Sequence, residues 1–325
     1  MFKTTMIATG LAVGLAMSGC SAQSAPDGEI RVERVEFSSG GEGIVGDLYV
    51  ADGVSRTRPG PAIVVTGAWM TVRQQMAARY ARELAERGYT ALVFDYRGWG
   101  ESGGDRRQYE DPHAKTVDTR AAFSYLASRP DIDDARLGGL SICASSGYMV
   151  RAALDTPTVH SIALVAPWLH DRDVVLQTYG GESGVAELIE SGRVDEAQYR
   201  DTGQQRFVPA ASSTDRRAIM FGAPYYTEPD RGMITAWRNE ADPAFWEGWL
   251  TFDGVAGAPR LSQPLFMVHS ESAAIPEGAK RFYGRVTAPK SELWLDNVTQ
   301  FDFYDRPGPV ESAVAAVALH FARTL

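Results

Sequence analysis

The chain has 325 residues, room for one large or two ordinary domains, and its 44% hydrophobic and 22% charged residues are the balance of a soluble globular protein. Its formal net charge is −9 and no stripe of lysine and arginine runs along it, so nucleic acid is not an expected partner. The sequence contains neither a metal-ligand cluster nor a glycine-rich phosphate loop followed by lysine, and no cofactor is implied.

The first 20 residues stand apart. A short basic start, Met1-Phe-Lys3, precedes an apolar stretch from Ile7 to Met17 that is too short for a comfortable membrane span and reads as a signal-peptide core. The following Met17-Ser-Gly-Cys20 resembles the lipobox of bacterial lipoproteins, with Met17 where leucine is usual. That resemblance implies cleavage before Cys20, lipid on its thiol, and anchoring in a membrane of the cell envelope. Ser21 rather than aspartate after the cysteine implies the outer membrane, facing the periplasm. The alternative is an ordinary secretory signal and a secreted or periplasmic protein. With Cys20 lipidated, Cys143 is the remaining free thiol and no disulfide can form within the chain. The expected organisation is a signal peptide over 1–20, a tether over 21–28 and one domain over 29–325.

The elements of that domain follow in order. Ile30, Val32, Val35 and Phe37 alternate with charged residues and predict an edge strand, with Gly43 to Val50 as its hairpin partner. Pro61 to Thr66 predicts a buried strand, Thr71 to Arg87 a helix capped by Thr71, and Thr90 to Phe94 a second buried strand. A helix from His113 to Ala127 follows, then a strand from Arg136 and a helix to about Leu154, then a strand from Ser161 to Ala166. Repeated strand–helix alternation implies a parallel sheet covered on both faces. Between Pro167 and Leu261 the alternation breaks, and Tyr225, Tyr226, Trp237, Phe245, Trp246 and Trp249 crowd one segment. Aromatics in such number need something to pack on, so 167–261 is expected to form an inserted cap. The sheet resumes at Pro264 to Val268, with a helix from Glu277 to Arg285, a strand at Leu293 to Leu295, and a last helix from Val310 to Arg323.

The chemistry centres on Arg136-Leu-Gly-Gly-Leu-Ser-Ile-Cys-Ala-Ser-Ser-Gly-Tyr148. An apolar strand runs into small residues and then a helix, which is how a tight turn presents one side chain. Two registers are open, with Ser141 or with Cys143 at the tip. The second is favoured because it gives the strand its full length and carries the small residues on to Gly147, where the helix must pass close to the sheet.

Three further landmarks complete a pattern. Thr66-Gly-Ala-Trp69 follows the first buried strand, Asp95-Tyr-Arg-Gly-Trp-Gly-Glu-Ser-Gly-Gly104 follows the second, and Asn297-Val-Thr-Gln300-Phe-Asp-Phe-Tyr-Asp305 precedes the last helix. In this order they resemble the α/β-hydrolase superfamily, a mostly parallel, doubly wound sheet with the cap inserted between its sixth and seventh strands. Within it, Cys-Ala-Ser-Ser-Gly-Tyr resembles bacterial relatives of dienelactone hydrolases that carry cysteine at the nucleophile elbow. The resemblance implies Cys143 as nucleophile toward an ester, thioester or lactone of a small acyl substrate. It implies an oxyanion hole from the amide of Ala144 and that of Ala68 or Trp69. Trp69 and Trp99 are candidates to line an acyl pocket.

The usual partners of that nucleophile are altered. Gln300 stands where the family has its catalytic histidine, and glutamine cannot act as a general base. The acid position falls on Ser272 or Ala273 of His269-Ser-Glu-Ser-Ala-Ala-Ile-Pro276, with Glu271 the nearest carboxylate. Of five histidines, His170 directly follows a sheet strand and is the candidate base, with Asp171, Asp173 or Glu271 behind it. A thiol with a reference pKa of about 8.5, lowered further at a helix N-terminus, also needs less help than a hydroxyl. Arg106, Glu110, Lys115 and Asp118 read as a solvated loop and helix start. The expected function is a hydrolase with a non-standard triad. The alternative is a binding or scaffold protein on a degenerate hydrolase fold.

Overall fold

The computed structural model describes residues 30–325, so the expected signal peptide, the tether and Cys20 lie outside the described residues. Strand β1 (Arg31–Ser39) forms an antiparallel hairpin with β2 (Glu42–Val50). Then come β3 (Gly60–Thr66), α1 (Met76–Ala85), β4 (Thr90–Phe94), α2 (Pro112–Ala127), β5 (Ile132–Ile142), α3 (Ser145–Leu154) and β6 (Ser161–Val165). The cap supplies α4 (Arg172–Thr178), α5 (Gly181–Thr202), β7 (Ala211–Ser212), β8 (Met220–Phe221), α6 (Pro224–Thr227) and α7 (Trp246–Thr251). The chain re-enters the sheet at β9 (Leu265–His269), followed by α8 (Pro276–Arg285), β10 (Lys290–Trp294), α9 (Asp302–Asp305) and α10 (Pro307–Thr324).

Eight strands form the main sheet in the order β1-β2-β4-β3-β5-β6-β9-β10, parallel from β4 onward. Every residue of β4, β6 and β9 is buried, as runs covered on both faces require. The two faces can be read from adjacent glycines in β5. A Cβ on Gly138 would meet Phe321 of α10 at 3.0 Å, whereas one on Gly139 would meet Met149 of α3 at 2.4 Å and Phe123 of α2 at 3.1 Å. Consecutive residues of a strand point to opposite faces, so α10 covers one side and α2 with α3 the other. The strand order turns back between β3 and β5, and in open parallel sheets the crevice at such a switch point, beyond the carboxyl ends of the strands, is the binding position. β5 ends there, one residue before Cys143.

Two local expectations change. The helix after β3 begins at Met76 and not at Thr71, because residues 71–75 are committed to the preceding loop. Thr71 Oγ1 donates back to Ala68 O at 2.7 Å, and Arg73 N–H donates to the buried Asp95 carboxylate at 2.8 Å. The charged side chains of Arg106, Glu110, Lys115 and Asp118 are buried or half-buried, not solvated. Glu110 and Asp118 are fully buried and Lys115 nearly so. Lys115 pairs with Glu110 at 2.7 Å, Tyr148 donates to the other Glu110 oxygen at 2.7 Å, and Arg97 with Ser39 satisfies Asp118. Tyr148, Arg97 and Ser39 come from other parts of the chain, which local patterning does not reveal.

Candidate active site

Cys143 directly follows β5 and, with Ala144, joins it to α3, and it sits in the left-handed region at φ 62°. A non-glycine residue there is strained and is held only by its surroundings. The elbow is pinned from both sides: Cys143 N–H donates to Val165 O at 3.1 Å, and its carbonyl accepts from Ser146 N at 3.1 Å and Trp168 N at 3.0 Å. Small hydroxyl residues tie the flanks, with Thr66 Oγ1 donating to Ser145 Oγ at 2.9 Å and Ser141 Oγ to Ser146 Oγ at 3.1 Å. Ser141 is therefore buried inside the sheet on the α3 side, and Cys143 is the elbow residue that borders the cavity above it. Gly147 is required for a different contact from the one expected. A Cβ there would meet the Phe252 ring of the cap at 2.7 Å, so the close approach is to the cap rather than to the sheet.

The sulfur's polar neighbours are the backbone amides of Ala144 and Trp69, the Tyr304 hydroxyl and the Gln300 side chain. Burial pushes the Cys143 thiol above its ordinary range, while all four neighbours favour the thiolate. The helix terminus that was expected to lower this pKa is outweighed by desolvation. Of the two amides considered for the second oxyanion donor, Trp69 faces the sulfur. Ala68 instead engages Thr71 through its carbonyl. The loop is shaped for this by Met70 at φ 57° and by cap residues that take the next carbonyls. Tyr226 Oη donates to Trp69 O at 3.2 Å and Trp237 Nε1 to Met70 O at 2.7 Å.

Gln300 bridges the site. Its Oε1 accepts from Ala274 N at 3.0 Å, and its Nε2 donates to Ala166 O at 2.9 Å and to Tyr304 Oη at 3.1 Å. A flipped amide would set oxygen against the Ala166 carbonyl, so this orientation is the one that satisfies the groups around it. Tyr304 was not singled out from the sequence. Its signal is its place four residues after Gln300, in the short helix α9, within the run from Asn297 to Asp305.

The remaining candidates lie elsewhere. His170 is buried, but both ring nitrogens are occupied: Trp168 Nε1 donates to Nδ1 at 3.0 Å, so Nε2 carries the proton and donates to Trp249 O at 3.0 Å. Burial lowers its pKa to about 4. It supports the cap and is not a residue of the cavity wall. Asp171 caps α4 and pairs with Arg281, which also holds Asp173, so neither carboxylate orients His170. Glu271 pairs with Lys280 on the surface at 2.7 Å, away from the cavity. Trp99 is buried beneath Lys115 with its indole N–H on Tyr109 O, and it does not line the cavity, whereas Trp69 does. Among the described residues no three His, Cys, Asp or Glu side chains gather as a metal-binding group.

The cavity over Cys143 holds about 660 Å³. Sheet loops contribute Trp69, Ala144, Gln300 and Tyr304, and the cap contributes Trp168, Tyr179, Tyr226 and Trp249. Among the described residues no Asp, Glu, Lys, Arg or His lines it. An apolar wall with a few convergent donors at one end suits a neutral acyl group whose carbonyl reaches the elbow.

The fold and the elbow define an α/β-hydrolase, and the comparisons agree. A family model described as serine aminopeptidase, S33, matches residues 63–218. Polyketide transferase claH of Penicillium crustosum is 36% identical over 282 residues, covering 79% of this chain and 86% of its own. The uncharacterized protein YcjY of Escherichia coli K12 is 26% identical over 289 residues, 86% of this chain and 93% of its own. The crystal structure of protein PA2218 from Pseudomonas aeruginosa superposes with a TM-score of 0.80 at 21% identity, covering 97% of this chain and all of that one. The chain belongs to the α/β-hydrolase superfamily.

Proposed function

We propose that this protein is an acyl-group hydrolase in which Cys143 attacks the carbonyl of a neutral ester, thioester or lactone. One observation carries the reading. The strained elbow holds the Cys143 sulfur against the amides of Ala144 and Trp69, at the end of an uncharged aromatic cavity. The carbonyl oxygen of a bound acyl group gains negative charge as sulfur adds, and those two amides are the donors for it. The N-terminus of α3 adds a favourable dipole for the same charge. The similarity to claH, a polyketide transferase, supports an acyl substrate, as does the likeness of the elbow to cysteine-bearing dienelactone hydrolase relatives.

The test is turnover of a neutral arylacyl thioester, followed by thiol release. Wild type is expected to turn over, and Cys143→Ala to lose at least about a thousandfold. An unchanged rate in Cys143→Ala overturns the reading.

A second reading is favoured by the uncharged cavity wall: with neither imidazole nor carboxylate there, the site binds a neutral acyl compound without turnover. Saturable binding of the thioester with no thiol release in wild type selects it.

The sequence of residues 1–20 supports an envelope lipoprotein held through Cys20. Metabolic labelling with a fatty-acid analogue tests this, and a chain that labels equally as Cys20→Ala contradicts it.

A further inference from the structure

Among the described residues no His, Asp, Glu or Lys lines the cavity beside Cys143. Attack by sulfur requires the thiol proton to go somewhere, and the leaving atom must gain one. Gln300 Nε2 donates to Tyr304 Oη at 3.1 Å, which uses one lone pair of that oxygen and leaves its own O–H proton free to point elsewhere. Tyr304 is buried and, like Cys143, lines the cavity, and the sulfur is among its polar neighbours there. Gln300 cannot rotate away, because Ala274 N–H and Ala166 O hold both ends of its amide. The ring is packed by Tyr225 at 5.1 Å and Phe301 at 5.7 Å between centroids, and these contacts fix the hydroxyl in place.

We infer that Tyr304 is a catalytic proton shuttle, oriented by Gln300, that carries the Cys143 thiol proton to the leaving atom. This rests on Cys143 being the nucleophile. In the step, sulfur bonds to the acyl carbon and its proton passes to Tyr304 Oη. The bond from the acyl carbon to the leaving oxygen or sulfur breaks, its electron pair stays on that atom, and the Tyr304 O–H proton joins it. The sum is Cys143–SH plus R–CO–X–R′ giving Cys143–S–CO–R plus H–X–R′. Tyr304 begins and ends neutral. Water, or an acceptor alcohol, reverses the step through the same hydroxyl and releases the acyl group. No external base is needed, which accounts for a glutamine in the histidine position: its task is to point a hydroxyl.

The high pKa that burial and the neighbouring sulfur impose on Tyr304 keeps it protonated and able to donate throughout the neutral range. Two consequences separate a shuttle from mere packing. First, acylation in wild type is flat with pH between about 6 and 8, because no free thiolate has to form. Second, Tyr304→Phe, which keeps the ring, loses most where the leaving group most needs a proton.

The experiment is single-turnover acylation with two neutral substrates of one acyl group, an aryl thioester and an alkyl ester. Tyr304→Phe is expected to lose less than about fivefold with the aryl thioester and about a thousandfold with the alkyl ester. Its aryl thioester rate should rise about tenfold per pH unit as free thiolate becomes the nucleophile. Adding Gln300→His to Tyr304→Phe should restore part of the alkyl ester rate by supplying an imidazole. An equal loss with both substrates and an unchanged pH profile overturns the shuttle while leaving Cys143 as nucleophile. Acylation that survives Cys143→Ala is a distinct result and overturns the nucleophile itself.

Discussion

Trp249 of the cap stacks on Trp69 of the loop after β3, with ring centroids 4.7 Å apart and planes at 26°. The pair joins the cap to the residue whose amide faces Cys143, so packing of the cap and geometry of the proposed oxyanion hole are one problem. Trp249 also donates its indole N–H to Tyr179 Oη at 2.9 Å and lends its carbonyl to His170.

Trp249→Ala is expected to cost about 3 to 5 kcal/mol of stability, the usual range for removing a buried indole. It should also lower acylation about tenfold, because the Trp69 loop loses its cover. Trp249→Phe should retain most of both. Thermal unfolding and single-turnover acylation check this, and an Ala variant with unaltered acylation would show that the loop holds itself.

His170 makes a pH prediction whose sign follows from its folded pKa of about 4, below the ordinary 6.5. The unfolded chain binds a proton there that the folded chain refuses. Stability is therefore fully present above about pH 6.5 and falls by roughly 3 kcal/mol as pH drops through 4. His320, also lowered to about 4 by burial, acts in the same direction. Denaturant melts of wild type and His170→Asn should show a shallower acid limb in the variant. Acylation of the variant should stay within about threefold of wild type at pH 7, since the ring is committed to Trp168 and Trp249. A loss of a hundredfold or more would restore His170 as the base.

Lys115 and Glu110 form a buried pair beneath the elbow helix, tied to it through Tyr148. Burial lowers the Lys115 pKa against the pull of Glu110. Breaking one side leaves the other charge uncompensated, so Lys115→Met should cost about 3 to 5 kcal/mol. The double variant Glu110→Gln with Lys115→Met should recover most of that loss. Equilibrium unfolding of the single and double variants checks it, and additive losses would mean the two charges act independently.

The sheet was legible in the sequence because its strands are short apolar runs between turn residues, and β3, β4, β6 and β9 fall where the hydrophobic pattern puts them. The elbow was legible for the same reason: small residues after such a run leave few other geometries. The helix after β3 begins five residues later than Thr71 suggests, because Thr71 looks like a cap but belongs to the loop that follows the strand. The buried charges of α2 were misread since helical periodicity cannot show that Lys115 and Asp118 find partners at Glu110 and Arg97. Within the site, Gln300 was legible as a departure, but its meaning was not. That depends on Tyr304 returning one turn later in α9 and on both side chains meeting Cys143, a contact between residues more than 150 positions apart. His170 looked catalytic because it follows a sheet strand, and only the folded cap reveals that its two nitrogens are already taken.

The central claim is that Cys143 takes the acyl group. The most direct measurement is intact-mass spectrometry of wild-type protein mixed with a neutral arylacyl thioester, with the modified peptide then mapped. The account predicts one acyl adduct per chain, on the peptide holding Cys143, and none in Cys143→Ala. Substrate consumed with the adduct on another residue, or an adduct that persists in Cys143→Ala, would contradict it.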